Sequence, residues 1–372
     1  MADTNIATGD AVAVKRFNDM AFQEYIGLLR FKQYMGMDAN AVIHVNEQLT
    51  KEKGDAITFN LRARLSGSGV TGSTTLEGNE EAMANYGHQV VVDQVRHGVR
   101  IPLMSRKRTS YDLKIEAKSG LADWMAEKVE DDIIAAHHSV NGTAYGAATE
   151  TQKDQWSDDN EDRILYGDAV ANTDGSGGLG TGGNDNSDSL GAIDGTNDIL
   201  DTDQISLAKR LAQQADPKIR PIKIEGGYEF YVLFAHTLCT RDLKATAAWQ
   251  QAQREGMPRG VNNPIFTGAI GMWDGVIVVE TERMPILAGV GAGSINVAHN
   301  ALCGAQAFLF AQAGTVGEQQ VEIIQEDFDY KEDAGFAIRS VYGIEKALFN
   351  NAGQTNAKQH GIVSVFSAAV AD

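Results

Sequence analysis

Apolar and polar residues alternate over 54–65 (GDAITFNLRARL), with Ile57, Phe59, Leu61, Ala63 and Leu65 on one face, the pattern of a half-exposed strand. Residues 66–81 are rich in Gly, Ser and Thr and read as a loop tip, and 89–101 (QVVVDQVRHGVRI) form a second strand. The two predict an extended β-hairpin. Much of one face is polar, so the hairpin has little core of its own and needs a partner surface. A helix follows. Leu113, Ala117, Leu121, Met125, Val129 and Ile133 recur every four residues, charges fill the other faces, and Thr109 with Asp112 gives a capping-box start. At 1.5 Å per residue, about 25–30 residues span roughly 40 Å.

Residues 15–36 also show helical spacing, with Phe17, Ala21, Tyr25, Leu28 and Leu29 recurring, as do Phe22 and Ile26. That broad aromatic face packs either on its own domain or on a neighbouring subunit. Later, 228–235 (YEFYVLFA) reads as a buried strand, 239–255 as a helix and 275–280 as a strand, with two long strands over 319–329 and 335–344. No strict βαβ repetition and no internal repeat occurs. The expected fold class is therefore α+β.

Charge changes this picture in one region. The 372 residues carry 32 Lys+Arg against 50 Asp+Glu, a net charge of −18. Residues 150–203 hold 14 acidic residues and two basic ones, about two thirds of that net charge. Within them, 171–196 are Gly-rich and low in complexity, which predicts a loop with little core. A chain this acidic does not coat nucleic acid unless its basic residues are segregated. The hairpin and its flanks are different: the tip carries Glu77, Glu80 and Glu81, while the second strand and the turn after it carry Arg96, Arg100, Arg106, Lys107 and Arg108. Charges at the tip and base of one extended hairpin cannot meet within it. They can meet between copies, and head-to-tail pairing builds rings or lattices.

Candidate chemistry is sparse. Two cysteines, Cys239 and Cys303, make no disulfide framework or thiolate zinc site and read as buried thiols. Gly178-x-Gly180-x-x-Gly183 lacks the strand and helix a dinucleotide site requires. The aspartates from Asp185 to Asp203 lack the EF-hand pattern and read as a solvated loop. His137 and His138 point about 100° apart on a helix, and the helix C-terminus favours a cationic His. His97 has no nucleophile tied to it by local spacing. No catalytic residue, metal site or cofactor is expected. Met284 to Gly317 lacks charge but is broken by Gly, Ser, Asn and His, so it reads as core segments rather than a membrane span. Met1–Phe17 has no long apolar core and is not expected to act as a signal peptide.

Several runs together resemble one family. They are Gly69-Val-Thr-Gly-Ser-Thr-Thr-Leu-Glu-Gly-Asn-Glu-Glu81, Val92-Asp-Gln-Val-Arg-His97, Tyr111-Asp-Leu-Lys-Ile-Glu-Ala-Lys118, Leu121-Ala-Asp-Trp124, Tyr231-Val-Leu-Phe-Ala-His236, Arg241-Asp-Leu243 and Asn263-Pro-Ile-Phe-Thr-Gly268. In this order they resemble the major capsid proteins of tailed bacteriophages of the N-four-like type. The resemblance implies the Hong-Kong-ninety-seven-type capsid fold. Its expected parts are an N-terminal arm (1–50), an extended loop (51–88) and a peripheral domain (89–149 and 318–346) with a spine helix at 110–139. An acidic insertion (150–203), an axial domain (204–317) and a C-terminal segment (347–372) complete it. It further implies a non-enzymatic virion protein, assembled in the bacterial cytoplasm into an icosahedral shell around double-stranded DNA. The expected partners are other copies in hexamers and pentamers, scaffolding, portal and decoration proteins, and weakly held DNA, with no membrane. The inter-subunit contact candidates are Glu77, Glu80, Glu81, Arg96, Arg100, Arg106, Arg108, Phe17, Phe22 and Tyr25. The competing readings are a metal-dependent hydrolase around His97 or the Asp-rich loop, and a calcium-binding surface-layer protein.

Overall fold

The strand and helix patterns are realised in a computed structural model that describes residues 30–50, 54–62, 69–73, 75–81, 85–108, 113–168, 185–224, 227–256, 269–314, 320–350 and 357–370. The principal elements, in chain order, begin with strands β1 (Ile43–Asn46), β2 (Ala56–Arg62), β3 (Asn85–Val91) and β4 (Asp93–Pro102) and helices α1 (Leu103–Arg108) and α2 (Leu113–His137). Helix α3 (Glu150–Asp159), strand β5 (Ile164–Tyr166) and helices α4 (Asn186–Gly191) and α5 (Thr202–Gln214) follow. Then come strand β6 (Tyr228–Ala235), helices α6 (Thr237–Ala245) and α7 (Ala247–Gly256), and strands β7 (Ala269–Trp273), β8 (Val276–Glu280), β9 (Val297–Cys303), β10 (Phe308–Ala313), β11 (Val321–Phe328), β12 (Asp333–Lys346) and β13 (Ile362–Ala368). The chain divides into two compact units: unit 1 (1–57, 90–136, 308–345) and unit 2 (58–89, 137–307, 346–372).

In unit 1 the long strand β12 pairs with β11 on one side and β4 on the other. Alternation sorts its side chains. Ala334, Phe336, Ile338, Ser340 and Tyr342 are buried, while Asp333, Ala337, Arg339 and Val341 are half-exposed. Helix α2 buries Leu121, Met125, Val129 and Ile133, the predicted repeat, at no more than 1% exposure. Tyr342 fixes it further by donating its hydroxyl to Asp132 at 2.8 Å. Strand β10 pairs in parallel with β1, so residues 43–46 of the expected arm lie in a sheet. The aromatic residues Phe17, Phe22 and Tyr25 lie outside the described residues.

The hairpin β2–β3 is a two-stranded sheet of its own. Here the structure corrects the sequence reading. The segment read as one strand over 89–101 is two. Asn85–Val91 pairs with β2, and Asp93–Pro102 leaves the hairpin to pair with β12, residues 333–342. Ten register pairs with a distant strand outweigh continuation of the local hairpin.

Unit 2 is built on a sheet of order β7-β8-β6-β9-β13-β5. Strand β13 is buried along its whole length, and its alternation feeds two cores. Val363 and Val365 join Leu165, Ile205, Leu211, Tyr231, Leu233, Leu243 and Trp249. Phe366 and Ala368 join Tyr145, Trp156, Tyr166, Leu190 and Ile193. The predicted helix 239–255 is α6 and α7, broken at Thr246, whose extended backbone (φ −68°, ψ 138°) and Oγ1 hydrogen bond to the Leu243 carbonyl end the first helix. Ordered helical structure also enters the segment expected to be a loop. Helix α4 starts on Asp185, whose side chain accepts the Asp188 N–H, and buries Leu190. Gly167 has φ +64°, and a Cβ there would meet Asp198 Oδ1 at 1.9 Å. That carboxylate accepts the N–H groups of Asp168 (2.9 Å) and Asp194 (2.7 Å).

Candidate assembly surface

In unit 1 the outer face of the β11–β12–β4 sheet carries the basic strand. Arg96, Gly98 and Arg100 point the same way by strand alternation, opposite Arg339, Ala337 and Gly335. Arg100 is not a free cation. Its Nε donates to Asp333 Oδ2 at 2.7 Å, with NH2 at 2.6 Å from the same oxygen, and its guanidinium lies 5.0 Å from the centre of the Phe328 ring. The Phe328 ring lies across Gly335, where a Cβ would meet it at 2.4 Å. Arg106 donates to the Glu332 carbonyl at 3.2 Å, so it braces the same β11–β12 turn. Arg96 faces Arg339 directly, but Arg339 is held by Glu322 at 2.5 Å. Among the described residues Arg96 has no ion pair, and it is exposed, as are Lys107 and Arg108 at the end of α1.

The turn between β11 and β12 holds Asp329, Tyr330 and Lys331 at φ 49°, 51° and 72°, with Tyr330 fully exposed at 103%. Left-handed backbone costs a non-glycine residue about 1–2 kcal/mol. No Gly or Asn marks this turn, and Asp329 is its one turn-favouring residue.

In unit 2 the hairpin tip is a formed turn. The Asn79 N–H donates to the Leu76 carbonyl at 2.9 Å, Gly78 has φ +87°, and the Gly78 N–H donates to Glu80 Oε2 at 2.7 Å. Glu77, Glu80 and Glu81 are all exposed, beside Leu76 at 59%. Unit 2 thus presents an exposed acidic tip with an apolar Leu, and unit 1 presents an exposed basic outer face.

The residues weighed for chemistry have structural employment. His97 stands 4.6 Å from the Trp124 ring, centre to centre. Asp194 accepts the N–H groups of Thr196 and Asn197, which hold its carboxyl below the usual range, and Asp201 caps α5. Asp154 accepts the Asn186 N–H at 3.0 Å, although burial and neighbouring carboxylates raise its pKa. Cys239 and Cys303 are buried and free, and burial pushes the Cys239 thiol up to about 12. The glycine fingerprint at 178–183 lies outside the described residues. His137 departs from its expected role. It is fully buried, and burial followed by Lys346 holds it well below the ordinary imidazole range. The cation at the end of α2 is Lys346, whose Nζ donates to the carbonyls of His137 and Ser139. Among the described residues no helix is long and apolar enough to cross a membrane.

An α+β chain whose polar residues serve as caps and braces, and whose exposed faces carry complementary charge, is of the class that works through its surfaces. It belongs to the phage capsid protein family, whose model matches residues 5–371. A curated relative, the major capsid protein of Pseudomonas phage KPP25, is 26% identical over 359 residues, 90% of each chain. Among solved structures, the cyanophage Pam1 capsid asymmetric unit matches with a TM-score of 0.79 and 29% identity over 100% of both chains. The capsid of Ralstonia phage GP4 matches at 0.73 and 26% over 92% of both. The protein has the tailed-phage capsid fold and is a structural protein of the virion, not an enzyme.

Proposed function

We propose that the chain is the major subunit of an icosahedral shell of the N-four-like type, in which copies gather as hexamers and pentamers around packaged double-stranded DNA. The observation that carries the reading is that the turn at 76–81 is exposed and acidic while Arg96, Lys107 and Arg108 are exposed and basic. Hairpin 51–88 acts as the extended loop and lies on the next subunit. Glu77, Glu80 and Glu81 meet Arg96 and Arg108 there, while Arg100 and Arg106 support that surface from within. The arm 1–50, with Phe17, Phe22 and Tyr25, docks on a neighbour, and Tyr330 supplies a further contact. The peripheral domain (89–149 and 318–346), the insertion 150–203 and the axial domain 204–317 take the places described for the fold above. Assembly takes place in the host cytoplasm with scaffolding, portal and decoration proteins, and contact with DNA is weak and independent of sequence.

One exposed ion pair is worth only about 0–1 kcal/mol. Repeated over a closed shell, such pairs decide whether subunits close. The double variant Glu80→Arg/Glu81→Arg should give a folded subunit with an unchanged melting temperature and no shells by electron microscopy. Adding Arg96→Glu/Arg108→Glu should restore shells. Normal shells from the first variant would refute the pairing.

A further inference from the structure

Three of the chain's eight histidines meet in the core of unit 2. His137 ends α2, His138 follows it, and His299 comes from the middle of β9. The Nδ1 atoms of His138 and His299 are 2.8 Å apart, so one ring donates and the other accepts. The His137 and His299 rings are 4.1 Å apart, centre to centre. His299 stacks on Phe366 at 4.3 Å, and His138 stacks on Tyr145 at 4.5 Å. Lys346 completes the cluster with 1% exposure. Its Nζ donates to the carbonyls of His137 and Ser139 and to Gln359 Oε1, and lies 5.3 Å from the centre of the Trp156 ring.

Charge is the unusual feature of this site. Among the described residues no carboxylate hydrogen-bonds Lys346 or any of the three rings. From α3, Lys153 lies 4.7 Å from the centre of the Tyr145 ring, and the carboxylates Glu150 and Asp154 bear on Tyr145. Tyr166 on β5 bonds Ser157 and Asn186, and β13 contributes only Phe366. The charges that act on the imidazoles are Lys346, Lys153 and one another. A proton on both His138 and His299 would set donor against donor across their shared hydrogen bond.

We propose that this cluster is an acid-sensitive latch: its neutral rings hold the ends of α2 and β12 in the core of unit 2, and protons taken up at mildly acid pH release them. Burial, then the neighbouring cations and rings, hold His137 and His299 well below the ordinary range and His138 at about 4. In the unfolded chain each titrates near pH 6.5. Falling pH therefore protonates the unfolded chain first. The stability these rings contribute is complete above about pH 6.5 and declines as pH falls towards 4 and below. His360, lowered to about 4 by burial, Arg163 and Arg220, and His236, also lowered by burial, titrate in the same window, so the latch is read by difference.

The test is urea unfolding of the full chain at pH 7.5 and 5.5. Each latch ring should raise the unfolding constant about tenfold at the lower pH, one unit below its unfolded pKa. His299→Phe keeps a ring on Phe366 and removes one titrating group, so its rise should be about tenfold smaller than that of the natural chain. Phe366→Leu should weaken the protein equally at both pH values. Equal pH ratios for the natural chain and His299→Phe would overturn the proposal. If His299→Phe does not fold, NMR of the full chain labelled with 13C-histidine decides. Assigned signals of His137, His138 and His299 that all stay neutral from pH 8 to 5 support the latch, and any one of the three titrating near 6.5 refutes it.

Discussion

Replacing Gly167 by Ala tests how tightly Asp198 is built into unit 2. Two costs arise. The first is the left-handed backbone, φ +64°, worth about 1–2 kcal/mol for a residue with a Cβ. The second is steric: the new Cβ would stand 1.9 Å from Asp198 Oδ1, so the carboxylate must leave. It then gives up the N–H groups of Asp168 and Asp194, and hydrogen bonds to a charged acceptor contribute about 1.5–3 kcal/mol each. The sum is about 4–8 kcal/mol, a large part of the 5–15 kcal/mol typical of a folded protein. Gly142 is the internal control. Its φ is +85° and nothing lies within 4 Å of a Cβ there, so Gly142→Ala should cost only the backbone share. Urea unfolding followed by tryptophan fluorescence measures both. With Asp198→Gly already in place, which also removes the Asp198 Cβ that would stand 2.8 Å away, Gly167→Ala should fall to the cost of the control, a non-additivity that isolates the clash. If Gly167→Ala and Gly142→Ala differ by less than about 1 kcal/mol in the natural background, the reasoning fails.

Two further predictions follow from buried titratable groups. Burial lowers Lys346 from 10.5 to about 7, so above pH 7 the folded chain has lost a proton that the unfolded chain keeps. Stability should therefore rise from pH 7 to 8.5 by about 1.5 kcal/mol, and Lys346→Met should remove that rise in urea melts at the two pH values. Cys239 and Cys303 should not react with a thiol reagent at pH 8 until urea unfolds the chain, because burial keeps both protonated; labelling of either in the folded protein, read by mass spectrometry, would contradict their placement.

The long helix and the hairpin were legible because their patterns are local. The four-residue repeat of Leu121 to Ile133 is what α2 buries, and Ile57 and Phe59 lie on the buried face of β2. What escaped was set by distant partners. Arg100 looks free in sequence because Asp333 lies 233 residues away, and that pairing moves the available charge to Arg96 and Arg108. His137 looks like a cationic helix end because nothing local announces His299 and Lys346. Strand β13 left no alternation to read. Both of its faces are covered, so IVSVFSA shows little of the period of two that exposes a strand in sequence. The turn at 329–331 has only Asp329 to mark left-handed backbone, so the positive φ of Tyr330 and Lys331 shows only in the coordinates.

Strand β13 also has a consequence in time. It sits between β9 and β5, with seven register pairs to the first and three to the second, yet it comes after both in the chain. While the polypeptide emerges from the ribosome, β9 and β5 keep open edges and the two cores lack Val363, Val365, Phe366 and Ala368. A chain interrupted before residue 362 leaves the sheet open between β9 and β5 and both cores without these side chains. The fold of unit 2 is thus completed only by the last strand to be synthesised.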